Sequence, residues 1–232
     1  MIFGSEWLLV AAVAFVGTHF IMSHPLRRSL VGAMGERGFS AFYSAVALVT
    51  FGMMIVAYRA VPLAAPLWSV GDGLWALSTL VMLIASVLFV GSLIKNPALP
   101  GGLTSASNAQ ARGVYGITRH PMMWSFALWG MCHILVFPVE KNIILSGAII
   151  VLALVGASFQ DRKKSSIDPE GWLAWMRQTS YFPFVAIAER RATFGNFRPH
   201  ALLGGLLVWL LATWAHLPLS GWPAGIWRWV HL

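Results

Sequence analysis

Two histidines of the sequence stand directly before a proline, His24 in SHPLRR and His120 in TRHPMM. Proline disfavours the helical conformation for the residue before it, so we expect each histidine to lie where the backbone leaves a helix. Pro121 suits the first position of a helix, and a helix N-terminus disfavours the charged imidazolium. We therefore expect His120 to be neutral and able to ligate a metal. The alternative for either histidine alone is an anchor at the lipid headgroups.

Other residue types restrict the chemistry further. The single cysteine, Cys132, excludes an intramolecular disulfide and a zinc or iron–sulfur site built from cysteines. There are eight acidic residues, and we expect none of them in the middle of a membrane span, which disfavours a carboxylate proton relay. No Ser/His/Asp order and no phosphate-binding loop stands out. The sequence therefore names no catalytic residue.

The composition indicates that these residues are carried by membrane helices. Hydrophobic residues make up 58% of the 232 residues and charged residues only 10%, against about 25% charged in a soluble domain. A membrane span needs about 20 apolar residues. We predict an all-α polytopic helix bundle that forms a single domain over residues 1–232, with spans near Trp7–Met22, Phe39–Val61, Leu74–Ile94, Met122–Val139, Asn142–Phe159 and Leu202–Leu217.

Two segments between the predicted spans differ from them in composition. Residues 96–113 are rich in glycine, proline and small polar residues, which predicts the longest loop. The segment Trp172–Arg191 mixes apolar and basic residues, and we predict that it lies at the membrane interface on the cytoplasmic side.

The basic residues predict the orientation of the spans. With alternating spans, all but three of the 16 lysines and arginines fall on one side, and the exceptions are Arg59, Lys141 and Arg228. Positive residues concentrate in cytoplasmic loops, so the net charge of +8 indicates a membrane orientation and no nucleic-acid partner. We predict a bacterial inner-membrane protein with His24 and His120 both at the cytoplasmic face.

Two further histidines lie inside predicted spans. For His19 and His133 both a functional role and a hydrogen bond between helices remain open. His133 lies about 20 Å along the helix from His120, since a helix rises about 1.5 Å per residue. We therefore expect it to lie outside any small site that contains His120.

Several segments resemble the NnrU family of bacterial membrane proteins. They are GTHFIMSHPLR, GERGFSAFYSAVAL, ARGVYGITRHPMMWSFALWGMCHIL and TSYFPF, and they extend the resemblance from Gly17 to about Phe184. The family is associated with nitrite and nitric oxide metabolism in denitrifying bacteria. It is similar to the plant zeta-carotene isomerase, a membrane enzyme that carries haem b and moves a cis double bond to trans.

The resemblance implies an inner-membrane b-type haem protein, with a haem-dependent isomerase acting on a hydrophobic small molecule as the expected enzyme. By this resemblance His24 and His120 are the axial ligands of the iron, which requires the first and fourth spans to be neighbours. Three arginines are then expected to pair with the haem propionates, and two aromatic residues to line the cofactor pocket: Arg27, Arg28, Arg119, Trp124 and Tyr181.

Two other functions compete with this interpretation. The RHP segment also resembles isoprenylcysteine carboxyl methyltransferases and phospholipid methyltransferases, which bind S-adenosylmethionine. The usual tyrosine after RHP is here Met123, and a double acid is replaced by Asp161 followed by basic residues. In that case the pocket would be lined by Tyr115, Arg119, His120, Arg177 and Tyr181. The third hypothesis is a non-catalytic assembly or maturation factor for a respiratory enzyme.

Overall fold

A computed structural model of the chain describes residues 4–98 and 110–230. Over these residues all regular secondary structure is helical, which confirms the predicted all-α fold. The α-helices are α1 Ser5–Ser23, α2 Arg27–Ala60, α3 Asp72–Gly91, α4 Val114–Ile117, α5 Pro121–Val136, α6 Glu140–Ile167, α7 Pro169–Gln178, α8 Val185–Ala188 and α9 Pro199–Ser220. Most of the long predicted loop, at residues 99–109, lies outside the described part of the chain.

Each of the six predicted spans falls mainly on one of these helices. In the described ranges α1, α2, α3, α6 and α9 are long and apolar enough to cross a membrane. The predicted fourth span falls on α5, which is apolar but has only 16 residues. The polytopic character predicted from composition is therefore confirmed, and the side on which each loop lies remains a prediction.

The helix ends differ from the predicted spans where the helix continues through polar sequence. Helix α2 begins at Arg27, well before Phe39, and it bends at Gly35, whose φ of 72° is outside the helical region. Helix α6 continues past Phe159 to Ile167. Counting apolar residues finds only the part of a helix that suits the membrane, because helix propensity does not require apolar side chains.

The chain divides into two compact units. The first unit consists of Met1–Val70 and His133–Leu152. In it α1 packs along α2, with the Phe15 and Phe51 rings 5.5 Å apart. The buried residues Leu8 and Met54 belong to these two helices.

The second unit consists of Gly71–Cys132 and Ala153–Leu232, and its longest helix pair is α3 with α9. Glycine lets these two backbones approach closely: a Cβ atom on Gly205 would lie 2.7 Å from the Val87 Cα. Small residues at such an interface are typical of packed membrane helices. The α3 end at Gly91 and the start of α9 meet, since a Cβ on Gly91 would lie 3.1 Å from the Ala201 Cβ.

The predicted interfacial segment is divided into α7, an irregular stretch and α8. Helix α7 is capped by the Asp168 carboxylate, which accepts a hydrogen bond from the Gly171 N–H at 3.0 Å. Its Trp172 and Trp175 are fully buried in a cluster with Tyr115 and Ile117 of the RHP region. This segment therefore contributes to the core of the second unit and positions the residues around His120.

Candidate functional site

The chain segment before Pro121 is a short break between α4 and α5, as predicted for His120. Thr118 is extended, with φ −155° and ψ 152°, and its Oγ1 donates a hydrogen bond to the Tyr181 carbonyl at 2.7 Å. The Arg119 N–H donates to the Ser180 carbonyl at 2.9 Å. The Trp124 N–H donates to the His120 carbonyl at 3.0 Å, which places His120 at the N-cap position of α5. Hydrogen bonds to the carbonyl groups of Ser180 and Tyr181 therefore fix the break.

A carboxylate from another helix holds both side chains of this break. Asp161 of α6 accepts hydrogen bonds from Arg119 Nε and Nη2, at 2.8 and 2.6 Å to Oδ2. Its other oxygen, Oδ1, lies 2.8 Å from His120 Nε2. The side chains of Arg119, His120 and Asp161 are 9%, 0% and 13% exposed. We call these three residues the RHD cluster, and buried pairs of this kind depend strongly on every partner.

The two ring nitrogens of His120 differ in their hydrogen bonding. An ionised carboxylate can only accept hydrogen bonds, so His120 carries a proton on Nε2 and donates it in a hydrogen bond to Oδ1. Within the described structure Nδ1 is buried and has no hydrogen-bond partner. In His120, Nε2 is therefore held by Asp161, and Nδ1 is the nitrogen without a partner in the described structure.

Aromatic side chains enclose the RHD cluster. The Tyr181 ring centre lies 5.7 Å from that of His120 and 5.9 Å from the Arg119 Cζ. Trp124 donates its Nε1–H to the Tyr181 carbonyl at 2.9 Å, and the Tyr181 hydroxyl donates to the Leu154 carbonyl at 2.5 Å. Burial raises the pKa of Tyr181, and the Asp161 carboxylate raises it further while Arg119 opposes the change. Tyr181 is therefore a neutral hydrogen-bond donor here.

The space next to His120 is small. A cavity of about 10 Å³ borders on it and is lined by Asn96, Ala98, Met122, Met123 and Gln160. The Gln160 Oε1 in this lining is buried and has no hydrogen-bond partner among the described residues. This volume is near the minimum that holds one water molecule.

The predicted residues of the first unit lie together at the end of α1. His24 follows α1, as predicted, and its Nδ1 lies 2.8 Å from Ser23 Oγ and 3.3 Å from the Phe20 carbonyl. Such contacts favour the tautomer that keeps the proton on Nδ1 and the lone pair on Nε2. Arg27 forms an ion pair with Glu36 at 2.8 Å, and Arg28 is exposed.

The structure therefore brings the predicted residues together in two separate groups. Arg119, His120, Trp124 and Tyr181 form one group in the second unit. His24, Arg27 and Arg28 form the other in the first unit. The pairing of His24 with His120 remains a prediction. Two nitrogens of the Arg119 guanidinium are used by Asp161, which leaves Arg119 poorly suited to the predicted propionate contact.

The residues predicted for the methyltransferase alternative come together only in part. Arg119, His120 and Tyr181 are in contact, but Arg177 is exposed. Tyr115 is buried, its hydroxyl is 3.5 Å from the Ser92 carbonyl, and it lines a different cavity. Burial raises the pKa of Tyr115, and Arg198 opposes that change.

Of the histidines inside spans, His19 has a clear packing role. Its Nδ1 lies 2.6 Å from the Phe15 carbonyl, and its ring contacts Phe15 and Tyr43 edge to face. The ring contact with Tyr43 joins α1 to α2, whereas the hydrogen bond of His19 to Phe15 lies within α1 and is not the predicted bond between helices.

Asp161 is the member of the RHD cluster that the sequence did not predict. It stands just after the predicted fifth span, at the same predicted membrane face as Arg119 and His120. That shared depth was the available signal, since a buried arginine requires an acid nearby. It was missed because the span was predicted to end at Phe159, so that Asp161 counted as part of a loop.

A comparison with protein-family models identifies the chain. The model described as NnrU protein matches residues 7–224. The chain belongs to the NnrU family. A comparison with curated proteins found no match, and a comparison with solved structures found none either. The NnrU match includes residues of both units and every member of the RHD cluster, so the family resemblance inferred from the RHP segment is confirmed.

Proposed function

We propose that this NnrU protein is a membrane-embedded b-type haem protein in which His120 is an axial ligand of the iron. The observation that carries the proposal is the state of His120. Its ring is fully buried, Asp161 holds one nitrogen, and the other nitrogen has no hydrogen-bond partner in the described structure. Metal-ligating histidines typically have the second ring nitrogen held by a carboxylate or carbonyl in this way.

The donor set fits haem better than a metal held by protein side chains alone. Within the described ranges no group of three or more His, Cys, Asp or Glu residues could hold a metal ion. Haem iron is already bound by its porphyrin and takes only axial ligands from the protein. When bound, haem would supply an iron centre with axial positions for ligand binding or electron transfer.

Binding haem at His120 requires local movement. The adjacent cavity of about 10 Å³ is closed in part by Met122 and Met123. Methionine side chains are unbranched and adaptable, and they pack well against flat apolar groups. If haem binds at His120, these two methionines would have to change rotamer to make room for it, and they would then border the porphyrin.

Each residue of the RHD cluster has a separate role in this proposal. Asp161 accepts a hydrogen bond from the Nε2–H of His120 and would make Nδ1 a more basic ligand for the iron. Arg119 keeps Asp161 ionised within a buried environment. His24 is the proposed second axial ligand. Arg28 is better suited than Arg27 to a propionate, because Arg27 is paired with Glu36.

The wider role is proposed from the family. An inner-membrane location with basic loops in the cytoplasm, and an association with nitrite and nitric oxide metabolism, are the expected setting. A cis–trans isomerisation of a hydrophobic small molecule is the proposed activity if the protein is an enzyme.

The visible absorption spectrum of the purified protein tests the proposal. After expression with ample haem, we expect a Soret band with the sharp α and β bands of a low-spin haem. His120→Ala is expected to abolish or strongly change this spectrum. His216→Ala, which alters a histidine of α9 far along the sequence from the RHD cluster, is the matched control and is expected to leave it unchanged. The absence of a Soret band in the wild type would refute the proposal.

The RHD cluster also favours one second candidate, a non-catalytic assembly factor. Its ion pair and hydrogen bonds suit a structural connection between α5 and α6. For this candidate we expect the protein to co-purify with a respiratory-enzyme partner and to bind no haem.

For the methyltransferase alternative, calorimetric titration with S-adenosylmethionine is the corresponding test, and only three of its five predicted residues are in contact.

A further inference from the structure

The second unit contains a cavity of about 620 Å³ where α3 ends and α9 begins. Its lining includes three cationic side chains, Lys95, Arg112 and Arg198, together with His200. Among the described residues that line it, none is acidic. We call this space the basic cavity. It shares no lining residue with the RHD cluster, so an inference about it does not depend on haem.

Among the described residues, the three cations of the basic cavity have no partner of opposite charge. Lys95, Arg112 and Arg198 are all exposed, and none of them forms an ion pair within the described residues. The segment 99–109, which is outside the described residues, contains no acidic residue in its sequence. Three like charges around one space repel one another, so a bound anion would stabilise them.

Two buried nitrogen atoms of the lining also have no hydrogen-bond partner among the described residues. Trp175 is only 1% exposed, and its Nε1–H has no hydrogen-bond partner in the part of the chain that is described. The Nε2 of His200 is likewise buried without a partner. Buried polar groups are nearly always hydrogen-bonded, to protein or to another molecule. An indole N–H can only donate a hydrogen bond, so the partner that Trp175 lacks must be a hydrogen-bond acceptor.

The start of α9 is a third feature that favours an anion in the basic cavity. Arg198 occupies the N-cap position and makes no side-chain capping hydrogen bond. The first N–H groups of a helix lack partners within the helix, and the helix dipole is positive at this end. The N-terminus of this 22-residue helix therefore favours an anion beside His200.

The walls of the basic cavity are held in an uncommon backbone conformation. Lys95, Gly113 and Asn196 all have positive φ, at 55°, 58° and 55°. The Gly113 N–H donates to the Gly195 carbonyl at 3.0 Å and joins two of the walls. Non-glycine residues adopt such φ values rarely, and they persist where the surrounding structure requires them. The backbone of these walls is therefore fixed by the packing around it.

We propose that the basic cavity binds the phosphate group of an anionic phospholipid headgroup or of a soluble phosphate ester. Arginine and lysine are the usual partners of phosphate oxygens. A volume of about 620 Å³ exceeds inorganic phosphate alone and lies in the usual range for small organic ligands. The lipid source is favoured, because α3 and α9 are both long and apolar enough to cross a membrane and the cavity is at their ends.

The experiment uses the full-length protein in phosphatidylcholine nanodiscs, with Arg112→Glu/Arg198→Glu as the test variant. Both residues are exposed, so the protein is expected to fold. Arg177→Glu is the matched control, since Arg177 is an exposed arginine of the same unit outside the cavity. One arm measures by native mass spectrometry how much added phosphatidylglycerol the protein retains. The other titrates glycerol 3-phosphate by calorimetry.

Three results separate the possibilities. Retention of phosphatidylglycerol that falls about tenfold or more in the double variant but not in Arg177→Glu supports a lipid site. Binding of glycerol 3-phosphate with the same dependence supports a soluble phosphate ester. If neither probe binds, or if the double variant binds as well as the wild type while its thermal melting is unchanged, the proposal is overturned. Equal loss in the control variant would also overturn it.

Discussion

The carboxylate of Asp161 accepts hydrogen bonds from two side chains that precede Pro121 in the sequence, those of Arg119 and His120. At this scale the sequence predicted the two donors and their position at a helix start. It did not predict the acceptor, because the pairing of Arg119 with Asp161 joins residues that are 42 positions apart. Only the packing of α6 against the break brings them together.

Asp161→Asn is expected to destabilise the protein. The substitution keeps the size of the side chain but leaves the buried Arg119 charge without a counterion. We expect the free energy of unfolding to fall by about 3 kcal/mol, which lowers the melting temperature by about 6 to 12 °C. The change in melting temperature is measured by heating samples and monitoring the remaining folded protein by fluorescence-detected size-exclusion chromatography.

The matched control for Asp161→Asn is Asp72→Asn. Asp72 forms an ion pair with Arg228 at 3.0 Å, but its side chain is 75% exposed. Exposed pairs contribute about 1 kcal/mol or less, so we expect little change in melting temperature. An equal effect of the two substitutions would contradict the assignment of a buried, interdependent RHD cluster.

At the scale of the elements, the sequence predicted which segments are helical more accurately than where they end. The apolar runs identified six helices because burial in lipid requires apolar side chains along the whole span. The polar start of α2 and the polar end of α6 were not predicted, since only tertiary packing shows whether a helix continues there. The missed end of α6 is the part that carries Asp161.

The contact between α3 and α9 gives a prediction at this scale. Gly205→Ala places a Cβ atom 2.7 Å from the Val87 Cα. Because this is a backbone atom of α3, a side-chain rotation cannot relieve the clash. We expect the two helices to separate and the melting temperature to fall by several degrees. Gly52→Ala is the control, because nothing lies within 4 Å of the added Cβ. Alanine favours a helix over glycine there, so Gly52→Ala is expected to be neutral or slightly stabilising. Similar losses in both variants would contradict the close packing of α3 on α9.

At the scale of the whole molecule, the composition established a polytopic membrane protein, and the NnrU match extends over residues 7–224. The orientation rests on the distribution of basic residues. Helix lengths and hydropathy do not determine the orientation, because an apolar helix is equally stable in the membrane with either end on the cytoplasmic side.

Cysteine labelling tests the proposed orientation. With Cys132 replaced by serine, the variants Arg190→Cys and Arg59→Cys each carry a single thiol at an exposed position. We expect a membrane-impermeant maleimide to label Arg59→Cys in cells whose outer membrane has been permeabilised. Arg190→Cys is expected to react only after the inner membrane is opened. The reverse pattern would contradict cytoplasmic basic loops.

The central claim is that His120, held by Asp161, binds haem iron. The amount of haem per chain, measured by the pyridine haemochrome assay on the wild type and on His120→Ala expressed with ample haem, tests it most directly. The account predicts one haem b per chain in the wild type and a large loss in His120→Ala, with His216→Ala unaffected. A wild-type protein that is folded and free of haem, or a His120→Ala variant with unchanged haem content and spectrum, would contradict it.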